Sequence, residues 1–312
     1  MAEVSIVIPT YKGMPIDANA PMIAMMQATN CFCHNERTGM RLHDPWKCPK
    51  GKHHVQMSPP VHASSVVHWA RNWSVARAMY GNTRQDVPES DYFLLCDDDM
   101  VAEPGYLLRM LSYKLDIVCG ICTIRRDPPI PNIRLWNSIE ERFYYPIEWD
   151  WDSQKLMEID AAGAAFMLVK RTVFEKMATA YLNCEFELEE DRRKMATVPG
   201  DLIDYWHRKS DMRKAHFEKS KEEKNWSAMD FWPFQFWGNF VDSQLGELGE
   251  DVTFCTKAKM LGFKIYADPQ VLPGHLGVYS YSIRDYREHV EQMKSIGKLP
   301  ETMKENVVGV GA

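Results

Sequence analysis

The sequence predicts an α/β protein built on a mostly parallel central sheet with helices on its faces, and three observations carry that prediction. Apolar runs at 4–8, 91–96 and 116–123 alternate with stretches of helical periodicity, the pattern of strands joined by crossover helices. The first two lead straight into polar, chemistry-bearing residues, as strands do where an open sheet presents its carboxyl edge to a ligand. The chain is also long and apolar enough to fill such a core, with 312 residues of which 45 % are hydrophobic and 12 % aromatic. With 26 % charged residues beside them, general disorder is excluded. The 43 acidic and 37 basic residues leave a net charge of −6, which argues against a broad cationic surface for nucleic acid.

Val4-Ser5-Ile6-Val7-Ile8 is expected to be a buried first strand that breaks at Pro9 into the turn Thr10-Tyr11-Lys12-Gly13. A helix is expected over 20–29, where Met22, Met25 and Met26 give a loose pattern. Residues 31–60 form a loop rich in Cys, His, Pro and Lys, with one short strand at 54–57. Val66, Trp69, Ala70, Trp73, Ala76 and Tyr80 then recur at helical spacing behind a cap at Ser64 or Ser65, and Gly81 closes that helix. The second strand, 91–96, runs into Asp97-Asp98-Asp99-Met100, and a helix over 104–113 and a strand over 116–123 follow.

Beyond Pro128-Pro129 the chain reads as irregular and aromatic up to Ile159, before a strand over 163–169 and a helix from Arg171. Residues 181–224 are intensely charged and 226–240 crowded with aromatics, so about 181–245 is expected to be a helical and aromatic insertion, part surface helix and part lid. A helix over 250–260, a strand over 263–267 and a turn at Pro273-Gly274-His275 complete one domain over 1–280, leaving a C-terminal helix and tail over 281–312. No stretch approaches the roughly 20 apolar residues of a membrane-spanning helix, and the N-terminus lacks a leader pattern, so the expected location is cytoplasmic. Eight cysteines are too few for a disulfide scaffold at this length, and Cys96, Cys119 and Cys255 are expected to pack as reduced thiols.

The acidic triplet is the strongest chemical signal. Carboxylates at i and i+2 of extended backbone point the same way, and oxygen-only ligands suit Mg²⁺ or Mn²⁺. A solvated acidic turn is the plain alternative, and the apolar strand that delivers the triplet to a sheet edge argues against it. Glu250-Asp251 opens a helical pattern, where acidic residues suit the helix dipole and where a carboxylate can also serve as a general base. His275, between Gly274 and Leu276-Gly277, adds an imidazole competent to bind Mn²⁺.

In this order these residues resemble the nucleotide-sugar-dependent glycosyltransferases of the GT-A, Rossmann-like fold, and more closely their inverting, family-2-like members. Ser5-Ile6-Val7-Ile8-Pro9-Thr10-Tyr11 matches the first strand and nucleotide loop, Ala70-Arg71-Asn72 the helix ahead of the acidic strand, and Asp97-Asp98-Asp99 the Asp-x-Asp motif. Residues 160–169 resemble the acceptor-side strand, Gly249-Glu250-Asp251 the x-Glu-Asp motif and His275 the C-terminal metal histidine. The resemblance implies a metal-dependent hexosyl transfer from a UDP- or GDP-type sugar to a hydroxyl of a carbohydrate, lipid-linked or protein acceptor, a nucleic-acid acceptor being disfavoured.

It further implies that Asp97, Asp99 and His275 hold Mn²⁺ or Mg²⁺, that Thr10 and Tyr11 line the nucleoside pocket, and that Arg71 lies near the diphosphate. Asp98 would touch the donor sugar or ribose, and Asp251 would activate the acceptor with Glu250 beside it if the transfer inverts configuration, or orient the substrate if it retains it.

A sugar-nucleotidyltransferase is a rival within enzymes, although Pro9-Thr10-Tyr11-Lys12-Gly13 lacks the Gly-rich basic loop of that class. A non-catalytic carbohydrate- or nucleotide-binding protein on the same fold is the rival from another class. Arg125-Arg126 would pair with phosphate or with local carboxylates, and Trp226, Phe231, Trp232, Phe234, Phe236 and Trp237 would stack on sugar rings or fill core. Cys31, Cys33, Cys48 and His53 are candidates for a structural Zn²⁺, at a spacing that fits no standard finger, whereas Cys119-Gly120-Ile121-Cys122 lies in a strand rather than at a redox-active helix start.

Overall fold

The computed structural model describes residues 2–10, 21–26, 54–57, 61–62, 67–80, 89–124, 129–146, 154–223, 236–238, 240–242, 246–276 and 282–295. Its centre is a seven-stranded sheet of β1 (Glu3–Val7), β2 (His54–Met57), β3 (Tyr92–Cys96), β4 (Ile117–Gly120), β5 (Met157–Ile159), β6 (Phe166–Lys170) and β7 (Ile265–Asp268), in the spatial order β5-β7-β4-β6-β3-β1-β2. Strand β1 lies parallel to both β2 and β3, and β7 lies parallel to β4. Strand β6 runs antiparallel to β3 and β4, and β5 antiparallel to β7. Five strands therefore point one way and two the other, which is the mostly parallel sheet the sequence predicts.

The helices are α1 (21–26), α2 (Val67–Tyr80), α3 (Tyr106–Ser112), α4 (Arg171–Leu182), α5 (Glu185–Lys194), α6 (Gly200–Glu223), α7 (Glu250–Met260) and α8 (Ile283–Ser295). Alternate side chains of each central strand enter opposite cores, as a pleat with period two requires. Phe93, Leu95, Ile117, Cys119, Met167 and Val169 pack with α2, α4 and α7 on one face. Leu94, Cys96, Val118, Phe166 and Leu168 pack with Met22 and Met25 of α1 and with Leu107 and Met110 of α3 on the other. Burial on both faces explains why these strands are continuously apolar.

Several boundaries differ from the sequence expectation. The 116–123 strand breaks after Gly120, where Ile121 N–H donates to Val271 at 2.8 Å, and Thr123–Ile124 pairs instead with Ile130–Pro131. Gly163, Ala164 and Ala165 form a turn ahead of β6 rather than the start of the strand. Residues 129–159, expected to be irregular, contain the antiparallel strands Ile133–Asn137 and Arg142–Tyr144, the first of which also pairs with Ala161–Ala162. The alternation of so short a ribbon is hidden by aromatics that pair with each other, as Trp136 and Phe143 do edge to face at 5.0 Å.

The insertion is also more integral than a lid. Tyr181 of α4, Phe186 of α5 and Phe217 of α6 enter the same core as the sheet, together with Phe236 and Trp237. Trp237 stacks on Phe254 of α7 at 4.7 Å and 9°, so these two aromatics fill core and do not offer a sugar-stacking platform. Trp226, Phe231, Trp232 and Phe234 lie outside the described residues. Among the described residues, no helix is long and apolar enough to cross a membrane.

Candidate functional site

The acidic turn sits at the end of β3. Asp97 N–H donates to the Ala165 carbonyl at 2.9 Å, tying the turn to the segment entering β6. The chain then forms the short strand Met100–Val101, which pairs antiparallel with Gly274–His275. Leu276 N–H donates to the Asp99 carbonyl at 2.9 Å. This pairing brings together two residues that are remote in sequence, leaving His275 Nε2 3.2 Å from Asp99 Oδ1, with side chains 13 % and 17 % exposed.

His275 Nδ1 lies 2.8 Å from the Thr123 carbonyl, and because a carbonyl only accepts, Nδ1 carries the proton of that bond. The Nε2 lone pair of a neutral ring then faces a carboxylate oxygen, an arrangement stabilised either by a second ring proton or by a cation shared between the two. A ring nitrogen fixed through a backbone carbonyl on its far side, beside a carboxylate, is the donor set of a metal-binding histidine. The two side chains therefore fit a divalent cation.

Asp97 behaves differently. Its Oδ1 accepts a 2.7 Å bond from Arg71 Nη2, while Arg71 Nη1 donates to Asp251 Oδ1 at 2.8 Å. Among the described residues no three Asp, Glu, His or Cys side chains are grouped closely enough to enclose a metal ion. Asp97, Asp99 and His275 are thus not assembled into a three-residue cage, because the Asp97 carboxylate is turned to a guanidinium. Arg71 itself is 3 % exposed in the second turn of α2; burial works to lower its pKa, and its carboxylate partners outweigh that cost and raise it further above its already high value.

Asp251 lies in the first turn of α7, behind Gly249, and is 27 % exposed. Its carboxyl is pushed above the ordinary aspartate value. Desolvation is the largest cause, opposed by Arg71, reinforced by Glu250 and Asp97, and opposed again by the N–H of Ala164. A Cβ placed on Gly163 would lie 3.5 Å from Asp251 Oδ2 and 3.4 Å from Asn132, so a side chain at this position would touch both.

Asn132 escaped the sequence reading, whereas Gly163 falls in the segment 160–169 that resembles the acceptor-side strand. Asn132 Oδ1 accepts from Cys122 N–H at 3.1 Å and its Nδ2 donates to the Gly163 carbonyl at 3.3 Å, so it braces the backbone at Gly163 beside Asp251. The only local signal was an Asn following Pro131, in a stretch without legible periodicity. Asn72, next to Arg71, exchanges bonds with the Trp237 backbone, donating to its carbonyl and accepting from its N–H at 2.9 Å.

Glu250 lies beside Asp251 in the first turn of α7, and Asp98 lies partly exposed in the acidic turn between Asp97 and Asp99. Thr10 is in the short strand Pro9–Thr10, of which only the backbone is described. Tyr11, Arg125, Arg126, Cys31, Cys33, Cys48 and His53 lie outside the described residues. Cys119 and Cys122 are buried, and burial pushes both thiols up, Cys119 well above its ordinary value, which argues against the redox alternative.

No family model and no curated protein sequence matches this chain. Among solved structures, it is similar to A197 from STIV at 12 % identity over 89 % of this chain and 86 % of that one, with a TM-score of 0.36. It is also similar to GalNAc-T7, solved with UDP, GalNAc and Mn²⁺, at 10 % identity and a TM-score of 0.42 over 93 % of this chain. The match spans 48 % of the GalNAc-T7 chain, about half its length.

Proposed function

We propose that this chain transfers a sugar from a nucleoside-diphosphate donor to an acceptor hydroxyl, with Asp251 as the base. The observation that carries the reading is the placement of Asp251. Its Oδ1 is held by a buried guanidinium, its Oδ2 lies beside Gly163, and the same guanidinium reaches the acidic turn at the end of β3. The raised pKa of Asp251 makes it a stronger proton acceptor than an ordinary carboxylate while it stays ionised above that value.

In the proposed reaction Oδ2 takes the acceptor hydroxyl proton as the acceptor oxygen bonds to the anomeric carbon. The bond from that carbon to the donor's phosphate oxygen breaks, and the nucleoside diphosphate departs with the electron pair. Arg71 orients Asp251 throughout, and Asn132 with Gly163 shapes the acceptor side. Asp99 and His275 would hold a divalent cation, with Asp97 contributing through water and donor phosphates completing the shell. Such a cation supplies charge stabilisation for the departing diphosphate. Asp98 and the backbone at Thr10 remain proposed contacts to the donor's ribose or sugar and to its base.

The test is thermal stability against UDP-, GDP-, CDP- and TDP-sugars with and without Mn²⁺, since a ligand of the native state raises Tm by mass action. A Mn²⁺-dependent rise with one nucleotide is expected. With that donor and saturating Mn²⁺, Asp251→Asn should still show a rise and should lower transfer or donor hydrolysis about 100-fold or more. Undiminished turnover would remove Asp251 from the role of base, and no rise with any donor would sink the transferase reading.

A further inference from the structure

Resting on the reading just proposed, we infer that Arg71 is a positioning residue that couples the cation side of the site to the base, so that a cation drawn to Asp97 hands the guanidinium over to Asp251. Three observations support this. The first is sharing: one guanidinium serves two carboxylates from distant segments, Asp97 through Nη2 and Asp251 through Nη1.

The second is confinement. Val75, Ala76 and Met79 bury α2 in the main core, and the neighbouring Asn72 is clamped to the Trp237 backbone, so the arginine stem cannot follow either carboxylate away. The third is the lack of a spare partner. Arg71 Nε is buried with no hydrogen-bond partner among the described residues, so the two Nη bonds, with a smaller contribution from the charge of Glu250, carry the compensation of this buried charge. Withdrawing one carboxylate then concentrates the guanidinium on the other.

Coupling of this kind is reciprocal. If a cation at Asp97 tightens the hold of Arg71 on Asp251, then removing the charge of Asp251 throws Arg71 back onto Asp97, where it competes with the cation. Asp251 thereby controls cation affinity although it is not a candidate cation ligand. The consequence for the proposed reaction is an ordering: the base is locked in orientation when the donor side is loaded, and held less firmly before.

The experiment is Mn²⁺ binding by titration calorimetry and by the electron-spin-resonance signal of free Mn²⁺, with no sugar donor present. The proteins compared are the full-length wild type, Asp251→Asn, Arg71→Lys and the double variant, with circular dichroism as the fold check. Lysine keeps a cation but offers a compact point charge in place of a planar fork. Arg71→Gln provides a second background should the lysine variant not fold.

With arginine present, Asp251→Asn is expected to weaken Mn²⁺ binding about fivefold or more. In the Arg71→Lys or Arg71→Gln background the same substitution should change it less than about twofold, the residue of plain charge loss. An equal effect of Asp251→Asn in all backgrounds would overturn the coupling while leaving the transferase reading standing. Absence of Mn²⁺ binding by the wild type would overturn the cation reading and the coupling together.

Discussion

Arg71 shows how a single side chain can organise a site. Burial makes its charge costly, and the two carboxylates it attracts offset that cost, so the arginine determines where Asp97 and Asp251 point. A second buried cation, Lys257 on the same helix as Asp251, is held in a less polar setting. Its Nζ donates to Tyr181 Oη and lies over the Tyr181 ring at 4.9 Å, and burial lowers its pKa from 10.5 to about 7 despite Glu187 and Glu190 nearby. The sign of the consequence follows from linkage. Between pH 7 and 10.5 the unfolded chain holds this proton and the folded chain does not, so stability rises with pH across that window and is flat below it. In urea titrations from about pH 7 to 10, the wild type should gain stability relative to Lys257→Met by at most about 1.4 kcal/mol per pH unit. Parallel curves for the two proteins would show that Lys257 is charged in the fold.

At the scale of elements, the site depends on two short pairings at the carboxyl edge of the sheet. The Met100–Val101 and Gly274–His275 ribbon carries His275 to Asp99, and the break after Gly120 carries Thr123 to His275. That break needs a residue without a side chain. A Cβ on Gly120 would meet Phe166 Cδ1 at 2.9 Å, Val271 Cγ1 at 3.0 Å and Pro273 Cδ at 3.1 Å, and Phe166 and Val271 are fully buried. Gly120→Ala should therefore lower stability by about 1–3 kcal/mol in urea unfolding, the cost of overpacking a filled core. Because Pro273 precedes the histidine ribbon, the variant should also weaken Mn²⁺ binding; stability and binding both unchanged would mean that the edge gives way freely.

At the scale of the whole molecule, the helices inserted between α4 and α7 share the sheet's core. Arg213 of α6 donates to the Tyr181 carbonyl at 2.7 Å and to Glu187 at 2.6 Å, and Phe217 meets Tyr80 of α2 edge to face at 5.2 Å. A segment joined in this way unfolds with the sheet rather than before it. Phe217→Ala should cost roughly 3–5 kcal/mol and move the far-ultraviolet and the tryptophan near-ultraviolet transitions together. An early, separate helical transition would instead mark the insertion as an independent unit.

Much of this architecture was legible in the amino-acid order, because local physics encodes it. Continuously apolar strands announce a sheet buried on both faces, an acidic turn after such a strand announces the carboxyl edge of the sheet, and Glu250-Asp251 announces a helix start. The ribbon at 133–144 was hidden because two short strands paired through aromatics leave no stretch long enough to show period two. The two carboxylate partners of Arg71 lie 26 and 180 positions away, and no periodicity reports on contacts at such separations. The sequence by itself determined which residues carry charge and which segments must be buried. Only the tertiary structure decided that one buried guanidinium answers two carboxylates and that His275 meets Asp99, because pairings between distant segments are set by how the strands and helices pack.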